Sequence, residues 1–210
     1  MAEDIKTRNR ILLVATLSAF LTPFMGSSIN LAIPAIGQDL HGNAIMLNWI
    51  VTSFLLVSAA FLLPFGRLAD MYGRKRIYVA GIGIFGAASF LCALSSSLDI
   101  LLLARVLQGL GATMMFATGM ALLTAAFPPQ ERGRVLGINA AMVYVGLSAG
   151  PIVGGFLTHY LGWRSIFYMV GLWSVLVIWA AQAWMPDDRH PVGEERYDTL
   201  GALLVAVSLI

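Results

Sequence analysis

Long apolar runs alternate with short polar segments over most of this sequence, and six of the runs are long enough to cross a membrane. A transmembrane helix needs roughly 20 apolar residues to cross a hydrocarbon core of about 30 Å. Because lipid cannot satisfy backbone N–H and C=O groups, single spans of this length are helical. The pattern therefore predicts six membrane helices, at residues 11–33, 47–64, 77–94, 100–127, 135–160 and 166–184.

A seventh apolar run begins at about Thr199 and continues to Ile210, where the sequence ends. This run is too short to cross a bilayer, so we expect the sequence to be an N-terminal fragment of a longer protein. The expected organisation follows the order of the apolar and polar segments. It consists of an N-terminal segment at residues 1–10, a six-helix unit at 11–185, a linker at 186–198 and the start of a seventh helix at 199–210.

Composition agrees with a membrane protein. The chain is 59% hydrophobic and 11% charged, with a mean hydropathy of +0.81, whereas soluble domains have about 25% charged residues. Cys92 is the only cysteine, which excludes an internal disulfide and a cysteine metal cluster. No histidine has a metal-ligand partner at helical spacing, and no basic patch is interleaved with aromatic residues. We therefore expect no metal, no cofactor and no nucleic-acid partner.

The basic residues predict the orientation of the chain. All but two of the thirteen Lys and Arg residues fall on one side of the predicted membrane, the exceptions being Arg105 within helix 4 and Arg164 on the other side. Because cytoplasmic loops carry an excess of Lys and Arg, the pattern predicts a multi-pass protein of the cell membrane. Its N-terminus, residues 1–10, and the linker at 186–198 would both be cytoplasmic. All eleven acidic residues lie outside the predicted spans.

The segment GRLADMYGRKR, between helices 2 and 3, concentrates charge in an otherwise apolar chain. We expect Gly66 to close helix 2 and Gly73 to permit a tight turn before helix 3. Asp70 would accept backbone N–H groups at a helix N-terminus or pair with Arg74, and Lys75 would hold the end of helix 3 at the surface. The alternative is that the positive charge only orients membrane insertion.

Helix 4 contains an ionisable residue, Arg105, with Gln108 about one turn further along. An intramembrane Arg costs about 2.5–3.5 kcal/mol at mid-helix, so we expect Arg105 to face the interior of the bundle or a water-filled cavity. Because it is close to one end of the predicted span, snorkelling to the interface is the alternative.

Helix 5 carries glycines at every fourth position, Gly146, Gly150 and Gly154, followed by Gly155. Small residues at this spacing form a flat face against which another helix can pack closely. Pro151 removes one backbone hydrogen bond and is expected to bend the helix. Close packing within the bundle and a role in transport are compatible interpretations of this face.

These motifs resemble those of the major facilitator superfamily. The pattern Gly-x-Leu-x-Asp-x-x-Gly-Arg-Lys resembles the signature of the loop between helices 2 and 3 in that family. The resemblance implies that Asp70 is a latch for one access state, with Arg74 as its partner, and that Arg105 is linked to proton transfer. The helix 5 pattern Gly-x-x-x-Gly-Pro-x-x-Gly-Gly resembles the antiporter motif of exporters.

The first helix is similar to that of the 14-span drug:proton antiporter branch of the superfamily. The match includes Asn30, Ala32 and Pro34, but the position of the aspartate that is usual in that branch is occupied by Met25. The segment RYDTLGALL and the pattern Trp163-Arg-x-x-Phe are similar to the same branch. Proton coupling would then use Arg105 with a group elsewhere.

The resemblance implies an all-α membrane protein, with six helices forming two inverted three-helix repeats and half of a transporter. The implied function is alternating-access export of drugs or other amphipathic small molecules, coupled to protons. The partners would be the substrate, protons, the lipid bilayer and a C-terminal half of the same polypeptide. Asn30, Met114 and Met142 are the candidate cavity residues, because methionine suits adaptable surfaces. Ordinary apolar filling is the alternative for the methionines.

Two other functions fit parts of the sequence. An exporter of a metabolite or siderophore would have the same fold. An intramembrane serine protease would use the G-x-S-x-G pattern around Ser148. The nearest histidine, His159, lies about three turns further along the same predicted helix, so the two side chains cannot meet.

Overall fold

The computed structural model describes residues 2–186, which form six helices. All six are long and apolar enough to cross a membrane, which confirms a multi-pass, all-α membrane protein. Within the described residues there is no β-strand. The helices are α1 (Ala2–Asp39), α2 (Ala44–Tyr72), α3 (Arg74–Ala93), α4 (Leu98–Ala126), α5 (Pro129–Leu161) and α6 (Arg164–Trp184).

Several helices extend beyond the apolar runs that predicted them. Helix α1 begins at Ala2, so nearly all of the polar segment at residues 1–10 is helical. Backbone hydrogen bonds continue a helix past the apolar run, because each N–H bonds to the carbonyl four residues earlier whatever the side chain. The predicted linker at 186–198, apart from Pro186, and the predicted start of a seventh helix at 199–210 lie outside the described residues.

The prediction that Gly66 closes helix 2 is wrong. Helix α2 runs through Gly66 to Tyr72, and the break comes at Gly73. Gly73 has φ 99° and ψ 129°, a backbone conformation that glycine adopts without a steric penalty, and its N–H donates to the Ala69 carbonyl at 3.0 Å. Gly73 alone therefore separates α2 from α3, and most of the charged segment is helical.

Side-chain caps fix the start of two helices. The Asn43 side chain accepts a hydrogen bond from the Met46 N–H at 2.8 Å at the start of α2. Ser97 accepts one from the Ile100 N–H at 3.4 Å at the start of α4. Each cap satisfies one of the backbone donors that the first helical turn leaves unpaired. Helix α5 instead begins with Pro129, whose missing N–H is not needed at that position.

The helix contacts are consistent with two equivalent three-helix units. The contact between α1 and α5 corresponds to that between α4 and α2, and the contact between α3 and α4 corresponds to that between α6 and α1. The pairs α1–α2 and α4–α5 correspond in the same way, as do α2–α3 and α5–α6. Exchanging α1 with α4, α2 with α5 and α3 with α6 therefore leaves the set of contacting pairs unchanged, as expected for repeats related by a two-fold axis.

The glycine face of α5 lies against α1. A Cβ atom added to Gly146 would be 2.7 Å from the Phe20 carbonyl oxygen, and one added to Gly154 would be 2.6 Å from the Ser28 Cβ. The Ser28 hydroxyl donates to the Gly150 carbonyl at 3.1 Å. The backbones of α1 and α5 are thus close enough that only glycine fits at these positions.

The corresponding contact between α2 and α4 is built in the same way. A Cβ atom at Gly109 would be 2.9 Å from the Phe54 carbonyl oxygen, and the Ser58 hydroxyl donates to the Gly109 carbonyl at 3.4 Å. Both contacts combine a glycine on one helix with a serine on the other. This combination gives packing and an interhelical hydrogen bond at the same place, which stabilises helix association where lipid offers no hydrophobic driving force.

Replacement of the neighbouring glycines Gly154 and Gly155 tests this packing. We expect Gly154→Ala to lower the free energy of unfolding by about 1–3 kcal/mol, because the new methyl group overpacks the contact with Ser28. Gly155→Ala is the matched control: its Cβ would be 3.6 Å from the Leu31 Cδ1 atom, an ordinary contact. Thermal unfolding in detergent measures both, and equal effects of the two substitutions would contradict the close approach of α1 and α5.

Candidate functional site

A cavity of about 230 Å³ lies between α1, α3, α4 and α5. It is on the side of the bundle where α2 joins α3 and α4 joins α5. The lining side chains are mostly apolar, and none of them is acidic or basic. They are Ala15, Ser18, Ala19, Thr22, Tyr78, Met115, Phe116, Gly119, Met120, Leu136, Asn139, Ala140, Val143 and Tyr144.

The polar groups of the cavity come from three helices. The hydroxyls of Ser18 on α1 and Tyr78 on α3 form a short hydrogen bond, and the Tyr78 side chain is 1% exposed. Asn139 on α5 also lines the cavity, and its side-chain oxygen is buried without a hydrogen-bond partner among the described residues. The cavity thus combines an apolar wall with a few placed polar groups, which is the usual character of a small-molecule site.

The three residues predicted for a substrate cavity lie outside this one. Asn30 is exposed, and Met142 is half-buried on α5. Met114 is buried against Gly81 of α3. Successive helical residues point about 100° apart, so Met115, rather than Met114, faces the cavity. The sequence pattern could not distinguish the two positions, because it does not give the rotation of α4 about its own axis.

Arg105 is buried in the interior of the bundle, with 1% of its surface exposed, and does not snorkel. Its Nε donates to the Ile50 carbonyl of α2 at 2.9 Å, and its Nη1 donates to the Gln108 side-chain oxygen. The guanidinium carbon lies 4.4 Å from the centre of the Phe54 ring. Arg105 therefore links α4 to α2 through a carbonyl and an aromatic face, and it also bonds the Gln108 amide on its own helix.

Gln108 extends this network to α3. Its Nε2 donates to the Ser89 hydroxyl at 2.7 Å, and Ser89 in turn donates to the Phe85 carbonyl at 2.7 Å. Across the helices that the structure describes, every acidic residue lies in a first or last turn. The partners of Arg105 on these helices are therefore neutral groups. The helical spacing of Arg105 and Gln108 predicts that the two side chains are neighbours. It does not predict the contacts of this pair with Ile50, Phe54 or Ser89.

The charged segment forms an ion pair across the break at Gly73. Arg74, the first residue of α3, donates to one Asp70 oxygen from Nε at 3.2 Å and from Nη2 at 2.9 Å. Both side chains are substantially exposed, and such pairs contribute about 0–1 kcal/mol to stability. Lys75 donates to the Met185 carbonyl just after α6, so the same segment also contacts the far end of the six-helix unit.

A second polar cluster lies at the opposite end of the bundle. Arg164 pairs with Asp39 at the end of α1, and its Nη2 donates to the Ser95 carbonyl after α3 at 2.9 Å. The Trp163 indole N–H donates to the same Asp39 carboxylate at 3.1 Å. The Trp163-Arg164 pattern in the sequence did not predict this cluster. The sequence did contain a signal for this cluster: Arg164 is the one basic residue predicted on that side of the membrane, and Asp39 in GQDL is an acid that could pair with it.

Six membrane-length helices around a buried polar network and an apolar cavity are the architecture of a membrane transporter. The chain matches the family model described as Major Facilitator Superfamily over residues 15–205. The chain belongs to this family, whose members are transporters rather than enzymes. This assignment agrees with the geometry of α5, where Ser148 and His159 are too far apart along one helix to act together.

Three relatives show the range of proteins that this chain is similar to. It is 34% identical to the riboflavin transporter RibZ of Clostridioides difficile (strain 630), over 93% of this chain and 43% of that protein. It is 34% identical to the multidrug resistance protein Stp of Mycobacterium tuberculosis (strain ATCC 25618 / H37Rv), over 97% of this chain and 38% of that protein. It is 37% identical to a probable actinorhodin transporter of Streptomyces coelicolor, over 88% of this chain and 32% of that protein.

The fold also matches a solved structure. A bacterial homologue of the human lysosomal transporter Spinster, in an inward-facing and unoccupied conformation, superposes with a TM-score of 0.76. The identity is 24%, over 92% of this chain and 46% of that one. This likeness shows the fold. The chain spans less than half the length of each of these relatives.

A double-mutant cycle tests the cluster of Asp39 and Arg164. We expect Arg164→Ala to lower the free energy of unfolding by about 1 kcal/mol or less, because the pair is exposed. In the double variant with Asp39→Ala, the loss of unfolding free energy should be smaller than the sum of the two single losses. The coupling energy should be about 0.5 kcal/mol or more. The coupling should shrink in about 1 M salt, where the Debye length falls to about 3 Å. Additive effects in low salt would show that the pair contributes nothing.

Proposed function

We propose that this chain is the N-terminal half of a proton-coupled exporter of drugs or other amphipathic small molecules, of the 14-span type. It would lie in the cell membrane with its N-terminus in the cytoplasm. The observation that carries the proposal is the apolar cavity beside the glycine contact of α5 with α1. The names of Stp and the probable actinorhodin transporter support export of amphipathic compounds.

Transport would proceed by alternating access, in which two halves rock about a substrate site between them. Rigid-body motion requires that the helices of one half move together. The glycine contacts of α1 with α5 and of α2 with α4 support this, since they hold each pair at close backbone distance. The exposed apolar face of α5, which includes Ile152 and Phe156, would then meet lipid or the second half.

The segment between α2 and α3 would be the conformational latch. In this half Asp70 pairs with Arg74, and the pair is exposed and weak. A weak pair suits a switch, because Asp70 can exchange Arg74 for a group on the second half at little cost in free energy. Gly66, Gly73 and Lys75 belong to the same proposed element.

Proton coupling would involve Arg105 and Gln108. A buried guanidinium that is held only by neutral groups favours a carboxylate nearby. The described helices of this half place no acid beside it, so we expect the proton-binding group on the second half. Protonation of that group would change its attraction for Arg105 and shift the balance between the two access states.

A metabolite is the second candidate substrate. The riboflavin transporter RibZ is as similar to this chain as Stp is. The same cavity and the same mechanism would serve a flavin-like or other biosynthetic molecule.

The direction of transport is proposed from the Gly-x-x-x-Gly-Pro pattern at Gly146, Gly150 and Pro151, which resembles that of exporters.

Asp70→Asn tests the latch. We expect it to abolish efflux, because the neutral amide cannot make the alternating ion pairs, while membrane insertion stays intact. Efflux of a fluorescent substrate from cells, normalised to the amount of protein in the membrane, is the measurement. Asp99→Asn, an equally exposed acid in the first turn of α4, should leave efflux unchanged. Normal efflux by the Asp70 variant would rule out the latch.

Arg105→Ala tests proton coupling. We expect pH-driven uptake into inverted vesicles to fall to background. Without the charge of Arg105, protonation of the group on the second half no longer changes an attraction between the two halves. Arg105→Lys keeps the charge on a narrower group and should retain part of the activity. Arg164→Ala, at an outer helix end, is the matched control and should transport normally. Undiminished pH-driven uptake by folded Arg105→Ala protein would refute the role of this residue.

A further inference from the structure

We propose that the Thr22 side chain and the backbone carbonyl of Ala19 form a hydrogen-bonding site for a ligand hydroxyl group in the cavity between α1, α3, α4 and α5. The ligand class is an apolar aromatic molecule that carries a phenol or an alcohol. The inference rests on the proposed function, because it names the class of substrate that this half of the transporter would bind. It goes beyond that function in assigning recognition to two positions of α1.

The hydroxyl of Thr22 is the first part of this site. Thr22 lines the cavity, is half-buried and has no hydrogen-bond partner among the described residues. Within the same part of the chain, the side-chain atoms that are both fully buried and unpartnered belong to Ser53, Asn139 and Thr158. The Thr22 hydroxyl is not one of these atoms, so a molecule in the cavity can reach it.

Thr22 differs in this respect from most threonines of the described helices. Five others donate their hydroxyl to the carbonyl four residues earlier in the same helix, which satisfies the side chain internally. They are Thr16, Thr52, Thr113, Thr118 and Thr124. One turn before Thr22, the Ser18 hydroxyl donates to the Ala15 carbonyl at 2.9 Å and is hydrogen-bonded to Tyr78. Thr22 therefore keeps both its donor and its acceptor for a ligand.

The carbonyl of Ala19 is the second part of the site. In an α-helix each carbonyl accepts the N–H of the residue four positions later, and for Ala19 that residue is Pro23, which has no N–H. Ala19 also lines the cavity, and it precedes Thr22 by three residues, which places both on one side of α1. An acceptor without its helical donor thus lies about one turn from a hydroxyl without a partner.

The two groups together match a ligand hydroxyl. Its O–H can donate to the Ala19 carbonyl while its oxygen accepts the hydroxyl hydrogen of Thr22. A water molecule can make the same two bonds, so a ligand hydroxyl replaces it without losing either one, whereas an ether oxygen cannot donate. Because an acceptor that is left unsatisfied in an apolar site is unfavourable, the site discriminates between a hydroxyl and its methyl ether.

The apolar wall defines the rest of the ligand. Met115, Phe116 and Met120 of α4 and Tyr144 of α5 present thioethers and aromatic rings, which pack well against a flat aromatic molecule. Tyr144 is 68% exposed, so its hydroxyl is hydrated with or without a ligand and adds little selectivity. The volume of about 230 Å³ is at the small end for a ligand site, which favours a molecule with few rings.

The experiment uses the polypeptide encoded by the complete reading frame, purified in nanodiscs, and a pair of fluorescent coumarins. Umbelliferone carries a phenol, and herniarin is its methyl ether; both are uncharged in mildly acidic buffer. Binding is measured by energy transfer from tryptophan, since the Trp173 indole bonds to the Leu17 carbonyl next to the cavity residue Ser18. Empty nanodiscs give the partition of each probe into lipid, which is subtracted.

We expect umbelliferone to bind about tenfold more tightly than herniarin, the size of one hydrogen bond. Thr22→Val keeps the shape of the side chain and removes the hydroxyl, so it should weaken umbelliferone binding about fivefold. Thr22→Ser returns the hydroxyl and should restore most of the affinity. Pro23→Ala supplies the missing N–H to the Ala19 carbonyl and should reduce the preference for umbelliferone over herniarin.

Thr16→Val is the matched control. Thr16 lies on the same helix, donates to the Leu12 carbonyl at 2.7 Å and does not line the cavity, so its replacement should leave both affinities unchanged. Equal binding of the two coumarins to the unmodified protein would overturn the site, and this comparison needs no variant. Unchanged umbelliferone binding by a Thr22→Val protein that unfolds at the normal temperature would rule out the role of Thr22.

The proposed function fails separately from this site. If proteoliposomes bind umbelliferone with the expected pattern but do not move it in response to a proton gradient, the site is correct and the transport proposal is wrong. If they transport umbelliferone and herniarin equally well and bind them equally tightly, the site is overturned and the transport proposal stands.

Discussion

The close approach of α1 to α5, repeated by α2 and α4, is the contact on which the rest of the bundle depends. In lipid, apolar side chains gain little by facing one another, so helices associate through tight packing and interhelical hydrogen bonds. Tight packing of α1 against α5 is allowed by Gly146, Gly150 and Gly154, and Ser28 supplies the interhelical hydrogen bond. A glycine and a serine also join α2 to α4, through Gly109 and Ser58, so both of these contacts between the two three-helix units combine close packing with a hydrogen bond. The cavity lies beside one of these contacts and takes its shape from it.

Charged side chains are held differently in the interior of the bundle and at the helix ends. Arg105 is buried and meets a carbonyl, an amide and an aromatic ring, whereas Asp70 with Arg74 and Asp39 with Arg164 form exposed ion pairs. A buried group in fixed geometry links three helices rigidly. An exposed pair is worth little to stability and is easily exchanged. The rigid polar contacts therefore lie inside the bundle, and the exchangeable ones lie at the helix ends.

The relatives carry names that refer to riboflavin, to multidrug resistance and to actinorhodin, and this chain is similar to all three. A fold of this kind sets how a substrate is moved, while the side chains around the cavity set which substrate is accepted. In this chain those side chains are mostly apolar and include methionines and aromatic rings, without any ionised group.

The sequence by itself determined the six spans, the glycine turn just before α3 and the small face of α5, since hydropathy, glycine conformation and helical spacing are local properties. It did not determine the end of α2, which depends on backbone hydrogen bonds that continue past the apolar run to Tyr72. Only the tertiary structure decided that Met115 rather than Met114 lines the cavity, that Asn139 has an unpaired oxygen, and that Asp39 meets Arg164. These features depend on the rotation of each helix and on contacts between residues far apart in the chain, which a sequence pattern does not specify.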